Sequence, residues 1–98
     1  MKAAIPQVQR RLEAGLYTTR FERTSAGERI YLSAMANLVT SGTAHSSAVA
    51  KALGRSLTDL SPVRDRLIRK GVIYSPAPGE VAFSVPGFAE YVIARTSR

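Results

Sequence analysis

The chain has no cysteine and no tryptophan, a single histidine, and only seven acidic residues. Without cysteine there are no disulfides and no thiolate metal sites, which fits a cytoplasmic protein. His45 lies in the polar run TSGTAHSS with no second imidazole to complete a ligand cluster, and reads as a solvated loop residue. No stretch approaches the roughly 20 apolar residues that span a bilayer. The amino terminus lacks a basic region followed by an apolar run, so no signal peptide is expected. Catalytic signatures are missing too: there is no G-x-x-x-x-G-K-[ST] phosphate loop, no G-x-G-x-x-G, no H-E-x-x-H and no G-x-S-x-G. The carboxylates are scattered among basic residues rather than paired. The chain reads as non-enzymatic, with no cofactor and no metal of its own.

What is abundant is positive charge. Fourteen Lys and Arg against seven Asp and Glu give a net charge of +7, and the sequence pI near 10.6 exceeds the value of about 9 that marks nucleic-acid-binding domains. Such an excess favours polyanions, although it also serves solubility or an acidic neighbouring domain. Ninety-eight residues, 45% of them hydrophobic, make one domain with a modest core.

Apolar spacing organises the chain. Ile5, Val8, Leu12 and Leu16 form one stripe of a first helix, with Pro6 in its first turn and Gly15 near its end. LYTTRFERT then reads as an irregular or extended connector whose Tyr17 and Phe21 anchor on the core among Arg20 and Arg23. Ser25 and Glu28 form an S-x-x-E capping box for a second helix with an apolar face of Ile30, Tyr31, Ala34, Met35 and Leu38. Gly42 ends that helix, and a brief strand is expected around Thr43–His45. Ser46 or Ser47 caps a third helix, with Val49 and Leu53 inward and Lys51 outward, closed by a left-handed Gly54.

Ser56 or Thr58 starts the following helix, and Pro62 leaves two readings of it. Either the helix begins at Leu57 and Pro62 kinks it, or Ser61 is the cap and Pro62 the first helical residue. Beyond Gly71, Val72–Tyr74 and Val81–Val85 are β-prone and flank the turn PAPGE. Pro86 or Gly87 opens a last helix with Phe88, Tyr91, Val92 and Arg95 on one side. The fold expected is α+β, mostly α. It is a winged helix-turn-helix with a three-helix core, a two- or three-stranded β-wing, and additional N- and C-terminal helices. Residues 1–23 form the N-terminal helix and connector, and residues 24–98 one compact winged unit.

At about 100° per residue, Leu57, Leu60, Val63, Leu67 and Ile68 gather on the core side of the second motif helix. Thr58, Ser61, Pro62, Asp65, Arg66 and Arg69 gather on the other. Arginine pairs bidentately with guanine, and Ser and Thr reach phosphates or base edges. Arg66 and Arg69 are thus the leading groove contacts. Lys51, Arg55, Ser56 and Lys70 lie near the ends of the helix pair, where they can hold phosphates. Arg64 falls on the apolar side, its stem buried and its guanidinium expected on a carboxylate such as Glu28. Asp59 and Asp65 oppose phosphate binding, and the wing tip Ser75–Glu80 carries no Lys or Arg.

From Phe21 to Tyr91 the chain resembles the carboxy-terminal winged-helix domain of AAA-type ATP-binding proteins, in particular bacterial relatives of the origin-recognition ATPases. The matching segments are RFERTSAGERIYLSAMA, VAKALGRS, SPVRDRLIRKGVIYSPAPGEVAF and VPGFAEY. The resemblance implies duplex-DNA binding, with Thr58, Ser61, Arg66 and Arg69 at the exposed recognition-helix positions. It also implies docking on a parent ATPase domain, or dimerisation, as the alternative use. ATP binding does not carry over, because the nucleotide motifs are absent. Membrane attachment is not expected, since the first helix has a modest stripe and no Trp.

Overall fold

The computed structural model describes residues 15–96. The stripe at Ile5, Val8 and Leu12, with Pro6, lies outside the described residues, as do Lys2, Arg10 and Arg11. Helix α1 covers residues 15–22, α2 Ala26–Leu38, α3 Ser46–Leu53, α4 Leu57–Arg69 and α5 Phe88–Thr96. Three short strands, β1 (Ala44–His45), β2 (Ile73–Tyr74) and β3 (Glu80–Phe83), form one antiparallel sheet in the order β1-β3-β2. Ala44 pairs with Val81 and Ile73 with Phe83, so the later hairpin is stitched to the segment ahead of α3. The architecture is α+β and mostly helical. Among the described residues, no helix is long and apolar enough to cross a membrane.

The segment expected to be an irregular connector is helical. Gly15, expected near the end of the first helix, is itself helical, with an ordinary right-handed backbone. Tyr17 and Phe21, one helical turn apart, instead lie along α5. Tyr17 packs on Phe88 and Tyr91, with ring centroids at 5.8 and 5.3 Å, and Phe21 meets Tyr91 edge-on at 5.9 Å. Such pairs contribute about 0.5–1.5 kcal/mol each beyond area burial. The Tyr17 hydroxyl donates to the Pro86 carbonyl at 2.7 Å. At Gly87 the backbone is left-handed (φ 84°), and a Cβ there would collide with the Tyr17 hydroxyl. Arg29 and Arg95 lie 4.5 and 4.7 Å from the buried Phe21 ring. The anchoring role expected for these aromatics holds, on a helix rather than on a loop.

On α2 the inward stripe is rotated from the one expected. Tyr31, Leu32, Met35 and Ala36 are buried, whereas Ile30 is 58% exposed. The capping box fixes this rotation by turning the Glu28 carboxylate inward, which carries Leu32 and Met35 in behind it one and two turns on. α2 then ends in a tight turn through Ser41 and Gly42, both at positive φ, with Thr40 and Thr43 bonded reciprocally. β1 runs directly into α3. Ser46 is therefore its first helical residue rather than its cap. His45 occupies the cap position without a side-chain bond, and its ring is exposed.

Candidate nucleic-acid interface

α3 and α4 are joined by Gly54–Ser56. Gly54 closes α3 in the left-handed region (φ 65°, ψ 32°), where its amide bonds back to the last carbonyls. Ser56 then caps α4, its hydroxyl accepting from the Asp59 amide at 3.0 Å. Of the two readings of Pro62, the first has the right start: α4 begins at Leu57 and Pro62 lies inside it. The missing N–H leaves the Thr58 carbonyl without its helical donor. Next to it, the Ser61 hydroxyl donates to the Leu57 carbonyl at 2.9 Å.

Leu60 and Leu67 anchor α4 in the core, flanked by half-buried Val63 and Ile68. Leu57, expected inside, is 50% exposed, because the chain enters α4 from the surface turn before the helix reaches α2. The outer face carries Thr58, Asp59, Pro62, Asp65, Arg66 and Arg69, all exposed.

The candidate contacts fall into three sets. Lys51 and Arg69 are exposed and have no ion pair among the described residues. Arg55 approaches Asp59 at 3.8 Å with both side chains more than half exposed, a contact that leaves the guanidinium available. Thr58 is exposed as well. Ser56 and Ser61 spend their hydroxyls on helix capping and on the Leu57 carbonyl. Arg66 and Lys70, in contrast, converge on one buried carboxylate.

That carboxylate is Glu28, whose side chain is only 2% exposed. Its Oε1 accepts from the Ser25 amide at 2.9 Å and from Lys70 Nζ at 2.7 Å, and its Oε2 accepts from Arg66 Nε at 3.0 Å. Burial pushes the Glu28 pKa up. The Lys70 ammonium, the Ser25 amide and the Arg66 guanidinium together outweigh it and hold the carboxyl below its ordinary value. One residue thus caps α2 and fastens α4 to it. The partner expected for Glu28 was Arg64, but Arg64 turns to Asp65 at 3.3 Å. Arg66 and Lys70, four residues apart on α4, reach the start of α2, while Arg64 lies over the cavity beside Tyr31.

Arg23 joins this basic end of α4, because Lys70 Nζ also donates to its carbonyl at 2.9 Å. Its side chain is exposed, and it was not among the expected contacts. The basic run RFER was its only signal in the sequence. The surface therefore presents cations at both ends of α4, Lys51 and Arg55 at one and Arg23, Arg66, Arg69 and Lys70 at the other, with Asp59 and Asp65 between them. The β2–β3 turn adds no cation. No group of acidic and histidine side chains able to hold a metal occurs among the described residues.

A family model described as a domain of unknown function, DUF8462, matches residues 14–92, a span that takes in every strand and helices α2–α4 whole. No curated protein and no solved structure matches the chain.

Proposed function

The chain belongs to the DUF8462 family of domains of unknown function, and we propose that it is a non-enzymatic winged-helix module that binds duplex DNA through α4. The observation that carries this reading is the α3–α4 pair: its second helix keeps one side in the core and turns an Arg-bearing side outward, with a β-hairpin directly after it. A 13-residue helix, about 20 Å long, suits a major groove about 12 Å wide. In this reading Arg69 and Thr58 address base edges. Lys51, Arg55 and Arg23 hold phosphates on either side. Arg66 and Lys70 face the backbone from positions fixed by Glu28, so little side-chain freedom is lost on binding. Arg64 and Arg55 offset the repulsion from Asp65 and Asp59. The resemblance to AAA-type winged-helix domains supports placing the module at the carboxy-terminal end of a larger ATPase, whose nucleotide chemistry lies outside this chain.

Arg69→Ala is expected to weaken duplex binding about five- to tenfold at unchanged melting temperature, since one base or phosphate contact contributes about 1 kcal/mol or more. Adding Arg66→Ala brings the loss to at least about tenfold and lowers the melting temperature through Glu28. Identical titration curves for wild type and the folded double variant overturn the placement of α4 in the groove.

A second reading is a protein-interaction module that docks on an acidic surface of the parent ATPase or dimerises. Its support is Ile30, which stands 58% exposed on α2 near the half-buried Leu53 and Ala34. Tyr17, Phe21, Phe88 and Tyr91 give it none, since Phe21 and Phe88 are buried and Tyr17 and Tyr91 half-buried in their own cluster; Tyr74 is the exposed aromatic, at 49%. Duplex binding without self-association favours the first reading, and the converse favours the second.

A further inference from the structure

We propose that the cavity between the start of α3, the start of α4 and the β2–β3 turn is a binding site for a small carboxylate with an apolar body. The cavity measures about 200 Å³ and is lined by Tyr31, Ser46, Leu57, Leu60, Ser61 and Arg64, with Gly79 of the turn at its edge. Ser46 is more than nine-tenths buried; its hydroxyl lies close enough to the Tyr31 phenol to lower that group's pKa, but it completes no hydrogen bond of good distance and angle among the described residues. Buried hydroxyls are normally partnered, so an orphan facing a cavity points to something that fills it.

The lining chemistry decides what that is. Arg64 keeps free N–H donors beyond its single bond to Asp65. Burial raises the Tyr31 phenol above its ordinary pKa, so it stays protonated and able to donate. Ser61 is an acceptor only, because its proton is used on the Leu57 carbonyl. Among the described residues, no carboxylate lines the cavity. Donors therefore exceed acceptors, and a guanidinium sits beside two hydroxyls, which selects an anion, with planar carboxylate matching Arg64 bidentately. Leu57 and Leu60 supply apolar walls. The exposure of Leu57 at the rim gives a ligand's apolar body a surface to cover. The volume falls below the roughly 300 Å³ of common ligand pockets, which limits the ligand to about ten non-hydrogen atoms.

The site does not depend on DNA binding by α4, and its test does not involve DNA. The ¹⁵N-labelled chain is titrated with benzoate, with benzamide as the neutral isostere and with inorganic phosphate as a bare anion. Benzoate is expected to shift the Ser46, Ser47 and Gly79 amides saturably, with Kd of about 1 mM or tighter. Benzamide and phosphate should bind at least about tenfold more weakly, as a charge-assisted pair over apolar walls requires. Ser46→Ala, which removes only the hydroxyl's loose approach to the Tyr31 phenol, is expected to keep the spectrum of the folded chain and weaken benzoate at least about threefold. Arg64→Gln is expected to weaken it at least about tenfold. Shifts that never saturate, saturation equally well reached with benzamide or phosphate, or an affinity untouched by both variants would each overturn the proposal. A cavity holding only ordered water gives the first of these outcomes.

Discussion

Replacing Glu28 with glutamine keeps the side chain's shape and removes its charge. In the native chain this buried carboxylate accepts three hydrogen bonds, from the Ser25 amide, Lys70 and Arg66. Glutamine can still accept from Ser25 through its carbonyl, but its amide then faces a cation, donor against donor. Hydrogen bonds to a charged group contribute about 1.5–3 kcal/mol each, and the part-exposed Arg66 and Lys70 put theirs at the low end. The expected loss is about 2–3 kcal/mol at neutral pH, or about 10–20 °C in Tm for a domain of this size. The pH dependence separates charge from packing. Because folding lowers the Glu28 pKa, its contribution is complete above the ordinary value of 4.5 and disappears as pH falls through the lower folded value. Glutamine does not titrate. Urea unfolding of both chains between pH 7 and pH 3 should therefore show a gap that narrows as pH falls below 4.5. A gap under about 0.5 kcal/mol at pH 7, the size of an ordinary surface substitution, or one that stays constant with pH, refutes the clamp.

Other predictions concern the elements that hold α4 and α5. Gly87→Ala is expected to cost more than about 1 kcal/mol, since it combines a left-handed backbone with a collision against the Tyr17 hydroxyl. Adding Tyr17→Phe should recover part of that loss in thermal unfolding, and no recovery argues that the backbone alone is responsible. Ser56→Ala removes the cap of α4 and should lower stability by about 1 kcal/mol. Amide exchange should accelerate first at Asp59 and Leu60, and protection unchanged there contradicts the cap's role.

Local chemistry was the legible part of this chain. The Ser25–Glu28 capping box, the left-handed Gly54 and the antiparallel hairpin around Pro78–Gly79 each depend on a few adjacent residues, and each appears where the sequence places it. Long-range decisions were not legible. The Glu28 carboxylate could be assigned to a helix cap from its spacing to Ser25, but its choice of Arg66 and Lys70 over Arg64 depends on how α2 and α4 cross. The segment after Gly15 reads as a connector until α5 is present to receive Tyr17 and Phe21. Val81 and Ala82 are both buried although consecutive strand residues point to opposite faces, so both faces of β3 are covered there, which the strand's own sequence does not announce. For the candidate interface, Thr58 and Arg69 stand exposed as the projection of α4 predicts, and Lys51 and Arg55 stand exposed near the ends of the helix pair. Arg66 shares that projection, and it and Lys70 have a second, internal partner that no projection reveals.

The central claim, that the α4 surface binds duplex DNA, is tested most directly by fluorescence anisotropy with a random-sequence duplex at two salt concentrations. With three to five phosphates contacted, the slope of log affinity on log salt should lie between about −3 and −4.5, so binding weakens roughly 60- to 500-fold between 50 and 200 mM salt. No binding at the lower salt, or binding that salt does not weaken, contradicts the account.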